Sequence, residues 1–275
     1  MRDRIAFAIV LTGLILSANG QWLNYPDPRT PRTPGGKPNL TAPAPRAADG
    51  KLDLSGVWAA EGAPASVNSS FGGETFNADL QFISKYALNV FADLKPEEVP
   101  MRPAAAALVR EHARTQGKDS PTSHCLPGGV PFSSLIAPFK AIQTQVEIVM
   151  LLEDNNPPRQ IYIDGRPLPK DPEPSWMGYS SGKWDGETLV VETIGFQERS
   201  WIDAAGHPRS ESMHIIERFH RRDFGHMDLE VTFDDPIYYT RAFTVKAGLR
   251  LLPDTDTLES VCAEGEKDRV HLDKN

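Results

Sequence analysis

The alternation over residues 213–234 constrains this chain more than any other feature. From His226 to Asp234 the odd positions Met227, Leu229, Val231 and Phe233 are apolar, and the even positions His226, Asp228, Glu230, Thr232 and Asp234 are polar. Strand side chains alternate between faces, so this segment predicts a strand with one packed and one wet face. In the preceding stretch, Met213 to Arg221, Met213, Ile215 and Phe219 share the apolar face with Glu217. A turn near Phe224-Gly225 joins the two. Setting Arg221 opposite Met227 brings His220 to Asp228, Arg218 to Glu230 and His214 to Asp234. Complementary cross-strand charges stabilise by a few tenths to about 1 kcal/mol each, so the three pairs select this register. They also read as a solvated charge ladder. Glu217 is then left opposite Val231, among apolar side chains.

A second hairpin is expected from Met177 to Ile194, turning at Asp185-Gly186, a dipeptide suited to a type I′ turn. That turn predicts Tyr179 opposite Glu192 and Ser181 opposite Val190. The other face carries Gly178, Ser180 and Gly182 against Leu189 and Val191. Glycines in a strand indicate sharp curvature or close approach of another group.

Period-two patterning predicts further strands over residues 141–153, 159–164, 240–246 and 257–262, with a short first strand near Leu54 to Trp58. Eight or nine strands in sequential hairpins, without helical crossovers, imply an antiparallel sheet. Closure into a barrel or a sandwich removes exposed edges. The favoured reading is a mainly β fold: an antiparallel up-and-down barrel of lipocalin-like build with a small N-terminal helical segment. The helical part spans about residues 78–116. Leu80, Ile83, Ala87, Val90 and Phe91 fall near helical spacing. Pro103 to Gln116 begins with a proline and stops at Gly117.

Arg2 and Arg4, the apolar run Ile5 to Leu16, and Ala18-Asn19-Gly20 predict a signal peptide over residues 1–20, cut before Gln21. The run is shorter than the roughly 20 residues of a membrane span. No later stretch is apolar enough to span a bilayer. A periplasmic or secreted location follows. Residues 21–53, rich in proline, read as an extended, poorly packed arm, a tether or a strap. Within it Gly36-Lys37-Pro38-Asn39-Leu40 is echoed by Gly50-Lys51-Leu52-Asp53-Leu54. Residues 54–275 form a single domain, with the barrel over about 141–262. The only cysteines, Cys125 and Cys262, predict a disulfide in an exported chain; the alternative is a reactive thiol. A net charge of −8 argues against nucleic acid or an anionic membrane surface as the main partner.

Several stretches together resemble an uncharacterised family of exported proteins from environmental Gram-negative bacteria. They are Asp49 to Trp58, Cys125 to Pro131, Arg159 to Pro169, Trp176 to Ser180, Gly182 to Thr193, Glu217 to Phe219 and Phe224 to His226. The resemblance implies export and one β-rich domain. It implies no activity.

The familiar catalytic signatures are absent: no Gly-x-Ser-x-Gly elbow, no His-Glu-x-x-His, no phosphate loop and no dinucleotide fingerprint. His220 and His226 flank a turn, and a metal would need further ligands. No metal and no cofactor are expected. Loop 195–211 is much longer than hairpin loops usually are, and long ordered loops often bind ligands. It carries Trp201, Asp203, His207 and Ser210. An aromatic ring with an Asp and a His can hold and protonate a small molecule at a barrel mouth; the plainer reading is a capping loop anchored by its Trp. Asp203, His207 and Ser210 are also the residue types of a hydrolase triad, without the elbow. Glu217 is a candidate acid or base, because burial raises a carboxyl pKa; the alternative is that it lies near the strand end or pairs with a buried arginine. The candidate catalytic residues are therefore Glu217, His207 and Asp203, and the ligand contacts Trp201, Tyr179 and Glu192.

Three functions remain open: a cofactor-free acid–base enzyme acting on a small organic molecule, a non-catalytic carrier, and a cell-envelope interaction protein using the proline-rich arm. A carrier should have a large apolar lumen, whereas an enzyme should focus titratable groups on one pocket.

Overall fold

A computed structural model describes residues 25–62, 82–154 and 156–265. The expected signal peptide and residues 78–81 of the expected helical part lie outside them. Nine strands close into a barrel in chain order: β1 (Gly56–Ala60), β2 (Phe139–Gln143), β3 (Glu147–Leu152), β4 (Arg159–Tyr162), β5 (Tyr179–Asp185), β6 (Thr188–Ile194), β7 (His214–Arg221), β8 (His226–Asp234) and β9 (Phe243–Leu251). Closure is by β9 pairing with β1, Trp58 opposite Leu251. The β7–β8 register is the expected one, with His214–Asp234, Arg218–Glu230, His220–Asp228 and Arg221–Met227 as partners. Met227, Leu229, Val231 and Phe233 are buried.

The pairing departs from the expectation in four places. Residues 141–153 are two strands, not one. Thr144 turns the chain, its amide donating to the Glu147 carbonyl and its hydroxyl oxygen accepting from the Glu147 amide. An apolar sequence on both sides, with no glycine or proline, hides that turn. The β5–β6 hairpin is displaced by two in register. Asp185 pairs with Thr188, so Tyr179 faces Ile194, Ser181 faces Glu192 and Val190 faces Lys183. A type I′ turn centred on Asp185-Gly186 needs φ > 0 at both residues; among the described residues of this turn only Gly186 has it, at +62°. The loop therefore forms around Gly186-Glu187, with glycine first. Third, β4 and β5 are parallel, Ile161 beside Ser180. The connection 163–178 carries the chain back to the same end, so the meander is not antiparallel throughout. Fourth, residues 257–261 are not a strand, and a short helix α4 (Cys262–Gly265) follows. β9 also runs further than expected, from Phe243 to Leu251.

The helices are small: α1 (Lys85–Leu88), α2 (Pro103–Arg114) and α3 (Phe132–Ile136). Proline opens α2, where its missing N–H costs nothing. The described part of the first expected helix narrows to α1, capped by the Ser84 hydroxyl accepting from the Tyr86 amide. Turns follow it rather than further helix.

The proline-rich segment is not extended. It folds into two equivalent turns, with Arg32 bridged to Pro38 and Arg46 to Leu52. In each, the arginine Nη1 donates to a glycine carbonyl, Gly36 at 3.3 Å and Gly50 at 3.0 Å. Those glycines have φ of +77° and +82°, which a side chain would oppose. The sequence echo is thus one turn used twice. Ala42, Leu52 and Leu54 are buried in the core, and Leu40 packs against it. The amides of Phe224 and Gly225 donate to the carbonyls of Ala42 and Leu40, both at 2.7 Å. The segment is a strap across the barrel rim.

Inward-facing side chains fill the barrel. A space of about 20 Å³ lies between Leu54, Phe139, Met150, Leu189, Phe219 and Met227. Cys125 and Cys262 form a disulfide, with Cα atoms 5.5 Å apart. None of the helices among the described residues is long and apolar enough to cross a membrane.

Candidate functional site

Alternation on β7 points Glu217 into the barrel, where it is fully buried. Its partner comes from β4: Arg159 is also buried, and its guanidinium binds both carboxylate oxygens, Nη1 to Oε1 at 3.0 Å and Nη2 to Oε2. Arg159 further donates to Ser180 Oγ at 3.3 Å and Thr193 Oγ1 at 3.1 Å, and those two hydroxyls share a hydrogen bond of 2.9 Å. The network is closed on itself inside a packed barrel. Glu217 lies among apolar neighbours as expected, with the buried arginine that was its alternative reading.

Loop 195–211 brings Asp203 and His207 together. Asp203 Oδ2 accepts from His207 Nδ1 and from the Val90 amide, both at 2.6 Å, and Oδ1 accepts from the His207 amide at 3.2 Å. The His207 ring stands edge-on to Phe91, centroids 4.8 Å apart. The carboxylate therefore ties the loop to the turn after α1. Ser210 belongs elsewhere: its hydroxyl donates to Asp235 Oδ1 at 2.9 Å, and its amide to Asp235 Oδ2. The residue types of a triad are thus present, but Ser210 and His207 serve different carboxylates. Arg209 clamps the same loop. Its side chain donates to Ser200 Oγ at 2.6 Å and to the carbonyls of Val130 and Trp176 at 2.7 and 3.3 Å, and it lies 4.4 Å from the Phe196 ring. Complete burial pushes its pKa down to about 9.

Trp201 stacks on His112 of α2, with centroids 4.3 Å apart. His112 Nδ1 is 2.7 Å from the Gly206 carbonyl, and a Cβ on Gly206 would stand 2.9 Å from that ring. Tyr179 and Glu192 do not pair. Tyr179 packs on Tyr162, centroids 5.4 Å apart. Glu192 Oε2 lies 3.2 Å from His214 Nε2, without hydrogen-bond alignment. Of the six candidates, the fold joins Asp203 and His207. Glu217 is sealed in the lumen with Arg159, and Tyr179 and Glu192 have separate partners.

A cleft of about 190 Å³ lies outside the lumen. Gln116 and Gly117 after α2, Ser120 to Ser123, Gly128, Phe132 and Ile136 of α3, and Trp201, Asp203 and Ala204 form its wall. The sequence singles out Trp201 and Asp203 as site residues, but not Gln116, Ser120, Thr122 and Phe132. In the sequence Gln116 reads as the end of a helix, and Ser120 and Thr122 as part of a loop. The consecutive left-handed residues Gln116 and Gly117, φ +55° and +73°, mark the turn that folds it over the long loop. The disulfide holds the same wall, since Cys125 ends the turn Pro121–His124. Among the described residues, no group of three His, Cys, Asp or Glu side chains could hold a metal ion.

Comparison with known proteins finds no matching family model, no similar curated protein and no similar solved structure.

Proposed function

We propose that this chain is an exported, disulfide-bonded barrel protein that binds a small molecule in the cleft between Phe132 and Trp201, without catalysing a reaction on it. The contrast in space carries the reading: the space among the lumen residues Leu54, Phe139 and Met150 is about 20 Å³, and the cleft about 190 Å³. Binding sites are normally concave, largely apolar and supplied with a few polar groups, and the cleft wall has that composition. A lumen-filled carrier of lipocalin type is disfavoured by the packed interior.

The acid–base reading has weaker support. Glu217 is held by Arg159 away from the cleft. Asp203 forms part of the wall, but its oxygens are occupied by Val90 and His207, and His207 itself does not contribute to the wall. The residues first suggested for catalysis then act as scaffold for the loop that forms one side of the site. Export agrees with the disulfide, which persists in oxidising compartments.

Native mass spectrometry of the protein recovered from its producing cell tests the reading. One non-covalent small-molecule adduct is expected, and Thr122→Trp, which fills the cleft, should remove it. An adduct retained by a folded Thr122→Trp protein would place the ligand elsewhere.

A further inference from the structure

We infer that the cleft selects an uncharged molecule built on a single flat ring, carbocyclic or heterocyclic, with one or two hydrogen-bonding substituents. The inference rests on the cleft being the binding site, and it follows from the size, charge and polar capacity of the wall.

The cleft's 190 Å³ falls below the roughly 300–1,000 Å³ of sites for drug-sized ligands, so it suits one ring rather than two. Among the described residues the wall has no Lys, Arg or His, and Asp203 is its only ionisable group. That carboxylate already accepts from the Val90 amide, the His207 amide and His207 Nδ1. Arg209, on the same loop as Trp201 and Asp203, does not line the cleft, and Ser200, Val130 and Trp176 engage its guanidinium. An anionic ligand would enter without a counter-cation. A cationic one would have to compete with His207 for a buried carboxylate. Burying an unpaired charge is far more costly than burying a neutral polar group.

The polar capacity is also small. Ser120 Oγ and Thr122 Oγ1 share one hydrogen bond at 2.9 Å, which leaves one hydroxyl proton free between them. Ser123 Oγ spends its proton on the Gly117 carbonyl. Gln116 is exposed at the cleft edge, and among the described residues no hydrogen-bond partner engages its side-chain amide, which brings both a donor and an acceptor. One amide and one hydroxyl can satisfy one or two substituents. They cannot satisfy the many hydroxyls of a sugar, each of which costs free energy when buried without a partner. Phe132 and Trp201 supply aromatic surface, with one Trp201 face already stacked on His112. Aromatic surfaces favour offset-stacked or edge-on contacts with a flat ring.

Isosteric pairs that differ only in charge test this. Calorimetry and ligand-observed NMR at neutral pH would compare benzamide with benzoate and benzamidine, nicotinamide with nicotinate, and D-glucose as a polyol. The neutral amides should bind, with the charged isosteres at least tenfold weaker and glucose without measurable affinity. Equal or tighter binding of a charged isostere, preference for glucose, or no binding of either amide up to its solubility would overturn the class assignment. Thr122→Trp and Ala204→Trp, each checked for folding by circular dichroism, should abolish benzamide binding. Unchanged binding in both would overturn the cleft as the site and leave the question of ligand class separate from it.

Discussion

At Glu217 the surroundings on its own hairpin and the surroundings in the barrel lead to opposite chemistry. Beside Ile215, Phe219 and Val231 alone, the carboxyl would be a desolvated group available for proton transfer. With Arg159 from β4 bound to both oxygens, it is one half of a buried ion pair. Breaking such a pair on one side leaves an uncompensated buried charge and typically costs about 3–5 kcal/mol, whereas replacing both partners by apolar residues is often neutral or stabilising. Glu217→Gln should therefore lower the urea midpoint strongly. Arg159→Met combined with Glu217→Leu should recover most of the loss. Equal stability of Glu217→Gln and the parent protein would return Glu217 to the candidate acids. Asp203 follows the same logic with different partners: its hydrogen bonds secure two backbone segments, so its value lies in the loop it shapes.

At the scale of elements, the strap and loop 195–211 decide what the barrel presents. The strap is held at its start by Asp254, which accepts from Arg32 at 2.5 and 2.9 Å and from the Asp27 amide at 3.1 Å. The Arg32 guanidinium holds the Asp254 carboxyl below the ordinary carboxylate range, as Arg29 does for Asp27. A carboxylate whose folded pKa is depressed contributes stability that is present above its unfolded pKa and lost as pH falls through the folded value. Protection factors at Asp27, and at Tyr25, whose amide donates to the Asp254 carbonyl, should fall as pH drops below the unfolded value of about 3.9, before those of the core amides of β7 and β8. Arg32→Ala should produce the same local loosening at neutral pH. Simultaneous exposure of strap and core would mean that the strap is no separate unit.

For the whole molecule, the disulfide joins the cleft wall to the end of the described chain across 137 residues. Closing so long a loop in the unfolded chain removes entropy worth up to about 5 kcal/mol in the chain-entropy model. Cys125→Ser with Cys262→Ser should lower the denaturation midpoint and weaken any ligand held in the cleft. Peptide mapping without reductant should recover one cross-linked pair. Two free thiols in the protein recovered from its producing cell would remove the covalent tie between the C-terminal segment and the cleft wall.

Local information was enough for the mainly β class, the β7–β8 register, helix α2 and the disulfide partners. Alternation, complementary charges, a leading proline and a lone pair of cysteines each act between neighbours or leave one choice. The β5–β6 slip turns on Asp185, which lacks the positive φ that a turn centred on Asp185-Gly186 requires and so leaves Gly186 as the first loop residue. The parallel β4–β5 pairing, the Arg159 beneath Glu217, the doubled turn of the strap and the cleft required the closed barrel. Each joins segments far apart in the chain, and their contacts arise only when burial of the whole interior places them together. Asp203 and His207 could be chosen from the sequence as polar residues on a long loop. That they would hold Val90 and pack on Phe91, rather than face a substrate, was decided by the hydrogen-bond demand of buried backbone amides, which exists only in the folded state.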